Sequence, residues 1–227
     1  DISLKALDDG INAAGDIEGE ISVSTRDYYM IKITGGNIKV DADGDGLDSN
    51  GNIEMSGGTV LVSGPTANGD GTLDYDGTFN ITGGVLIAAG SSGMAETPSQ
   101  TSTQPVLSVY FTSNQTAGTV ISLKESNGAD VLSFTSSKDF QSIVMSSPNL
   151  SLSSTYSVYA NGTKLCDATL ASVITSISDT GEAYQGRGGF GGGMGRPRNE
   201  NFQNGQMQQP PSNNIDTSTN STLKEST

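Results

Sequence analysis

Ile33-Thr34-Gly35-Gly36-Asn37-Ile38-Lys39-Val40 returns as Met55-Ser56-Gly57-Gly58-Thr59-Val60-Leu61-Val62, and again as Ile81-Thr82-Gly83-Gly84-Val85-Leu86-Ile87-Ala88. The Gly-Gly pairs lie 22 and then 26 residues apart. Each pair sits between two short apolar runs that alternate with period 2, so each unit reads as strand, tight corner, strand. Glycine suits the corner because, without a Cβ, it takes positive φ at no steric cost. A second echo keeps a similar offset: Asp9-Gly10-Ile11-Asn12, Asp45-Gly46-Leu47-Asp48 and Asp70-Gly71-Thr72-Leu73-Asp74.

A repeat of about two dozen residues, all strands and turns with no helical period, fits the coils of a parallel β-helix. One coil cannot bury its apolar face alone, so stacked neighbours build the core. The inward positions expected are Ile33, Ile38, Val40, Val60, Val62, Ile81, Leu86 and Ile87. An antiparallel sandwich with Gly-rich hairpins accounts for the strands, but not for the fixed order of Gly-Gly and Asp-Gly landmarks.

Working outward, residues 1–95 form the repeat module and 96–105 a polar loop. Residues 106–178 form a β-rich cap, and 179–227 a Gly-, Gln-, Asn- and Ser-rich tail expected to be disordered. In the cap, Val106–Phe111, Thr119–Leu123, Val131–Phe134, Ser142–Met145 and Tyr156–Tyr159 read as strands. Asn127-Gly128 and Asn161-Gly162 read as hairpin turns. Such a cap would cover the terminal edge of the stack, which otherwise invites pairing. The chain begins at Asp1, inside what reads as a coil, and the expectation is a fragment or a processed form.

Charge follows the same division. The 227 residues carry 25 acids and 11 bases, a formal net charge of −14. Residues 1–96 hold 16 acids against 4 bases, a net of −12, and residues 97–227 hold 9 against 7, a net of −2. A polyanion of this kind does not bind nucleic acid by neutralising phosphates. With no His there is no Ser-His-Asp triad, no His-paired Cys and no imidazole ligand for zinc. Cys166 stands alone, so no intramolecular disulfide forms, and it reads as a small core residue. No stretch reaches the roughly 18 apolar residues of a membrane-spanning helix.

The densest acidic run is Asp41-Ala42-Asp43-Gly44-Asp45-Gly46, the first half of an EF-hand-type calcium loop. Three carboxylates at alternate positions can converge on one cation while Gly46 permits the turn. The twelfth position is Asn52 rather than a bidentate Glu, and a strand follows, so a full EF-hand is rejected. The competing reading is that Asp and Gly simply build turns. Against it, Asp41, Asp43, Asp45 and Asp48 crowd together without a base, and like charges at that spacing repel unless a cation neutralises them. Asp70, Asp74 and Asp76 in the next coil, and Asp8 and Asp9 in the first, would meet this cluster if coils stack in register. Calcium is the cofactor expected.

Paired carboxylates also serve glycosidases as acid and base, with Asp45/Asp48 and Asp74/Asp76 as candidate pairs. These acids lie among turn glycines, however, rather than in an apolar pocket. A calcium-dependent polysaccharide lyase needs a base near the metal, and Lys39, just before the Asp cluster, is the candidate. For sugar contact the candidates are Tyr28, Tyr29, Tyr75 and Lys39, with Tyr75, flanked by two acids, expected at the surface. A structural reading, with stacked coils self-assembling as a surface-layer or filament subunit, stays open beside these.

Several stretches carry a resemblance: Gly44-Asp-Gly-Leu-Asp-Ser-Asn-Gly51, Ile53-Glu-Met-Ser-Gly-Gly-Thr-Val60, Gly64-Pro-Thr-Ala-Asn-Gly-Asp-Gly-Thr-Leu-Asp-Tyr-Asp-Gly77 and Ile81-Thr-Gly-Gly-Val-Leu-Ile-Ala-Ala-Gly-Ser-Ser-Gly-Met94. The chain resembles the bacterial carbohydrate-binding-domain proteins, the cellulose- and pectin-binding group, over residues 4–110 and more weakly to 177. That resemblance implies a right-handed parallel β-helix similar to polysaccharide lyases, with bound calcium and an extracellular or cell-surface location. It further implies affinity for cellulose and polygalacturonate-like acidic polysaccharides, without established catalysis. The calcium role carries over only onto the Asp-Gly positions quoted above.

Overall fold

In a computed structural model, which describes residues 1–15 and 28–184, the chain is all-β, with no helix among the described residues. The repeat module alternates long and short strands. The long ones are β1 (Ile2–Ala6), β3 (Met30–Ala42), β5 (Asn52–Ser63) and β7 (Phe79–Gly90); the short ones are β2 (Ile11–Ala13), β4 (Leu47–Ser49) and β6 (Leu73–Tyr75). Long strands pair only in parallel with one another, as do the short ones. The chain therefore shuttles between two parallel sheets, one step per repeat. Parallel ladders cannot be joined by tight hairpins, so the sandwich of Gly-rich hairpins is excluded for this module.

Register carries the sequence echo into space: Ile38 pairs with Val60, and Val60 with Leu86. Ile11 pairs with Leu47, and Leu47 with Leu73. Between the two sheets lie Val40, Leu47, Ile53, Val60, Val62, Leu73, Phe79, Ile81 and Leu86, all with zero exposure. Burying each side chain of this size contributes about 1.5–3 kcal/mol. Few inward residues per repeat suffice, which is how a chain only 33% hydrophobic holds a core.

Two expectations need correction. The Gly-Gly pairs do not turn the chain out of one sheet: β3, β5 and β7 run through them as single strands of 13, 12 and 12 residues. The ladder shifts register there, and the second glycine takes positive φ, +84° at Gly36, +86° at Gly58 and +91° at Gly84. The glycines build stacked bulges, and the turns lie elsewhere. Ile87 is buried as expected, but not beside Leu86. Consecutive strand residues face opposite sides, and Ile87 joins a second core with Ala89.

That second core lies under the C-terminal strands β8 (Val106–Gln115), β9 (Val120–Glu125), β10 (Asp130–Thr135), β11 (Phe140–Ser146), β12 (Thr155–Ala160), β13 (Thr163–Thr169) and β14 (Ile174–Ser178). β11 pairs antiparallel with β7, then β8 and β14 follow, extending the long-strand sheet to seven. The antiparallel sheet β10-β9-β12-β13 supplies the other wall, with Leu123, Phe134, Tyr156 and Val158 meeting Phe140, Ile143 and Met145. The hairpin at Asn161-Gly162 has φ +47° and +80°, and Gly128 at the other has φ +87°. These are the left-handed conformations such turns require. Residues 179–184 fold back on β14, with an Ile177–Ala183 bridge and the Tyr184 ring stacked on Tyr110 at 3.8 Å. The remainder of the expected tail, 185–227, lies outside the described residues.

Candidate metal centre

In the short strands Leu47 and Ser49, like Leu73 and Tyr75, point into the core, so the residue between them points out. Register aligns these outward residues as Asn12, Asp48 and Asp74. The Asp-Gly turns that precede the strands stack equally closely. Asp9 Oδ1 accepts the Asp45 N–H at 2.9 Å, and Asp45 Oδ1 accepts the Gly71 N–H at 2.6 Å. A Cβ on Gly46 would stand 2.4 Å from the Thr72 carbonyl oxygen and 2.5 Å from Val62 Cγ1, so this approach needs glycine.

The two ladders bring Asp9, Asp45 and Asp48 together, with one carboxylate oxygen from each lying within 4.8 Å of the others. Asn12 Nδ2 donates to the second oxygen of Asp9 at 2.7 Å. Burial pushes the Asp45 carboxyl up to about 6 despite the Gly71 N–H, and Asp74, Asp9 and Asp70 add to the rise. Burial likewise lifts Asp48 to about 6, helped by Asp74, Asp9 and Asp76 and a hydrogen bond shared with Asp9. Burial and Asp76 raise Asp74, with the Tyr75 N–H working against them. Every charge that raises these carboxyls is itself negative.

Glu96 stands outside the short strands but within electrostatic reach of this row, and it escaped the sequence reading. Burial, then Asp74, Asp76 and Asp45, push it up to about 7, and its Oε2 is buried without a hydrogen-bond partner. Its signal was spacing: Glu96 follows Asp74 by 22 residues, as Asp74 follows Asp48 by 26.

The Asp41–Asp48 run is divided between two places. Asp41 and Asp43 do not join Asp45; they meet Lys138, in the turn before β11, whose Nζ lies 3.2 Å from Asp41 Oδ1 and also contacts Asp43 Oδ1. The same ammonium donates to the Ala42 carbonyl at 2.6 Å, and Ser137 Oγ donates to Asp41 Oδ2 at 2.6 Å. Burial works to raise the Asp41 carboxyl, but the Ser137 and Lys138 hydrogen bonds and the Lys138 charge outweigh it and hold it below its ordinary value.

The remaining candidates scatter. Asp8 is exposed, and its carbonyl accepts the Gly44 N–H. Asp70 and Asp76 act on the row through their charge. Lys39 is exposed on β3, in register with Leu61, and so belongs to the other sheet. Tyr28 is 81% exposed, while the Tyr29 hydroxyl donates to the Gly15 carbonyl. Tyr75 is not at the surface: it is 6% exposed, packs edge-on to Phe79 at 6.1 Å between centroids, and donates its hydroxyl to the Thr97 carbonyl at 2.6 Å. Strand alternation that turns Asp74 and Asp76 outward turns Tyr75 in.

Comparison with protein-family models, curated proteins and solved structures finds no match.

Proposed function

We propose that this is a non-catalytic, calcium-binding polysaccharide-binding protein of the bacterial cell exterior, its repeat module a right-handed parallel β-helix. The observation that carries the reading is the convergence of Asp9, Asp45 and Asp48 on one point. Two oxygens bound to one Ca²⁺ at about 2.4 Å stand at most about 4.8 Å apart, and the triad meets that limit. An all-carboxylate donor set selects a hard cation over zinc or copper. Half-buried carboxyls raised by burial and by neighbouring acids, with no base among the causes, are what a bound cation would relieve.

Calcium held by Asp9, Asp45 and Asp48 supplies a positive charge in a module of net −12. A uronate carboxylate then has something to approach. The resemblance to cellulose- and pectin-binding proteins supports that ligand class. Binding is favoured over lyase chemistry because Lys39, the expected base, stands on β3, whereas the row stands on β2, β4 and β6.

Calorimetry with calcium, then with polygalacturonate in calcium or in chelator, tests this. Calcium binds the wild type, and glycan binding vanishes with the chelator. Asp48→Asn weakens calcium at least tenfold while raising the melting temperature of the metal-free protein, because one repelling charge is gone. Calcium affinity unchanged in Asp48→Asn would remove the triad as the site.

A further inference from the structure

A cleft of about 280 Å³ opens where the β5–β6 connection meets β8 and β11. Thr66 and Asn68 form one wall; Asn114, Asp139 and Gln141 form the other, with Ser91 between them. We propose that this cleft is a second, calcium-independent glycan site that takes a neutral, hydroxyl-rich sugar unit. The proposal rests on the reading of the chain as a polysaccharide binder and adds to it where an uncharged chain would sit.

Charge decides the ligand class. Among the described residues no Lys or Arg lines the cleft, so none of them attracts an anion there. Its one carboxylate is already engaged: Asp139 Oδ1 accepts the Ala117 N–H at 2.8 Å, and Oδ2 accepts Asn114 Nδ2 at 3.0 Å. A cation therefore finds no free carboxylate oxygen pair. Amide and hydroxyl groups are left over. Gln141 spends Oε1 on Ser92 Oγ at 3.1 Å, and Asn114 spends its Nδ2 on Asp139, so Gln141 Nε2 and Asn114 Oδ1 have no partner among the described residues. Thr66 and Asn68, both exposed, have none for their side chains. Sugar hydroxyls both donate and accept, which is what this mixture of unspent donors and acceptors matches.

The walls are fixed before any ligand arrives. Ser91 N–H donates to the Pro65 carbonyl at 2.8 Å, and Ser91 Oγ to the Asp70 carbonyl at 2.9 Å, tying the Thr66–Asn68 wall to the end of β7. Ser142 Oγ donates to the Ser91 carbonyl at 2.7 Å, tying the same point to β11. Phe140, 1% exposed and edge-on to Phe111, backs the cleft without offering an open face. Asn114 and Gln141 stand on β8 and β11, and polar groups so held lose little freedom when they bind. The volume falls just under the roughly 300 Å³ at which pockets for drug-sized ligands begin, which suits a sugar unit of a longer chain lying across the surface.

The test uses cellohexaose and polygalacturonate, each titrated in chelator and in calcium into wild type, Asn68→Ala/Gln141→Ala and the cleft-filling Asn68→Trp. Melting temperatures show that the variants fold. Cellohexaose binds the wild type in chelator, and both variants weaken it at least tenfold while leaving calcium-dependent polygalacturonate binding unchanged. Cellohexaose binding that survives in both variants, or that requires calcium, overturns the cleft. Absence of cellohexaose binding to the wild type overturns it as well. Loss of polygalacturonate binding alone overturns the calcium reading and leaves the cleft standing.

Discussion

Lys138 places its ammonium against Asp41, Asp43 and the Ala42 carbonyl, and so neutralises acids that stand 97 and 95 positions before it in the chain. An ammonium here does the work that the Asp-x-Asp-x-Asp-Gly spacing assigns to a metal. Lys138→Met leaves Asp41 facing Asp43 with only the weaker pull of Lys5 to offset it, and destabilises the fold by about 1–3 kcal/mol in urea titration. Asp43→Asn, at a carboxylate more than half exposed, changes stability by under about 1 kcal/mol in the same titration. The local spacing was legible and its partner was not. Periodicity reports which acids are near each other along the chain, whereas the position of a distant lysine is fixed only by how β11 docks on β7. Tyr75 teaches the complementary lesson: its polar neighbours suggested the surface, but alternation on a short strand decides burial, and that alternation was readable in Leu73-Asp74-Tyr75.

At the scale of elements, the three Gly-Gly pairs were legible as landmarks but not as the structure they form. A positive φ serves a corner or a bulge equally, so the sequence shows the need for glycine without showing which way the strand continues. The stack makes the positions unequal. A Cβ on Gly58 would stand 2.7 Å from the Gly35 carbonyl carbon and 2.8 Å from the Gly36 oxygen, whereas one on Gly36 meets nothing within 4 Å. Gly36→Ala therefore carries only the left-handed strain, about 1–2 kcal/mol. Gly58→Ala carries that strain and a backbone clash, and loses more than Gly36→Ala in denaturant titration. Equal losses at the two sites would show that the bulges do not stack. Parallel pairing itself was readable, because repeats with landmarks in fixed order align only when neighbouring strands run the same way. The attachment of β11 antiparallel to β7 had no sequence signal, since an edge strand carries no record of which partner covers it.

For the whole molecule, the acidity concentrated in residues 1–96 becomes a stability that depends on pH. Asp45 and Asp48 titrate near 6 and Glu96 near 7 in the folded chain, above the ordinary 3.8 and 4.5. Below about pH 4 folded and unfolded states are both protonated at these groups and stability is complete. As pH rises through 6 to 7 the folded state gives up protons it had held more tightly, and that stability is lost. In chelator the melting temperature falls between pH 5 and pH 8, and saturating calcium at pH 8 restores it; at one hundred times its Kd an ion adds about 2.7 kcal/mol. A melting temperature that climbs across this range in chelator would contradict the raised carboxyls. The ladder has a mechanical side too. Each Asp-Gly carboxylate grips the amide of the next repeat, Asp9 on Asp45 and Asp45 on Gly71. A load that peels one repeat from its neighbour meets these grips singly, like a zip. An ion held by Asp9, from one repeat, and Asp45 and Asp48, from the next, would rivet two teeth together, and the force needed to open the repeats would then rise with the calcium around them.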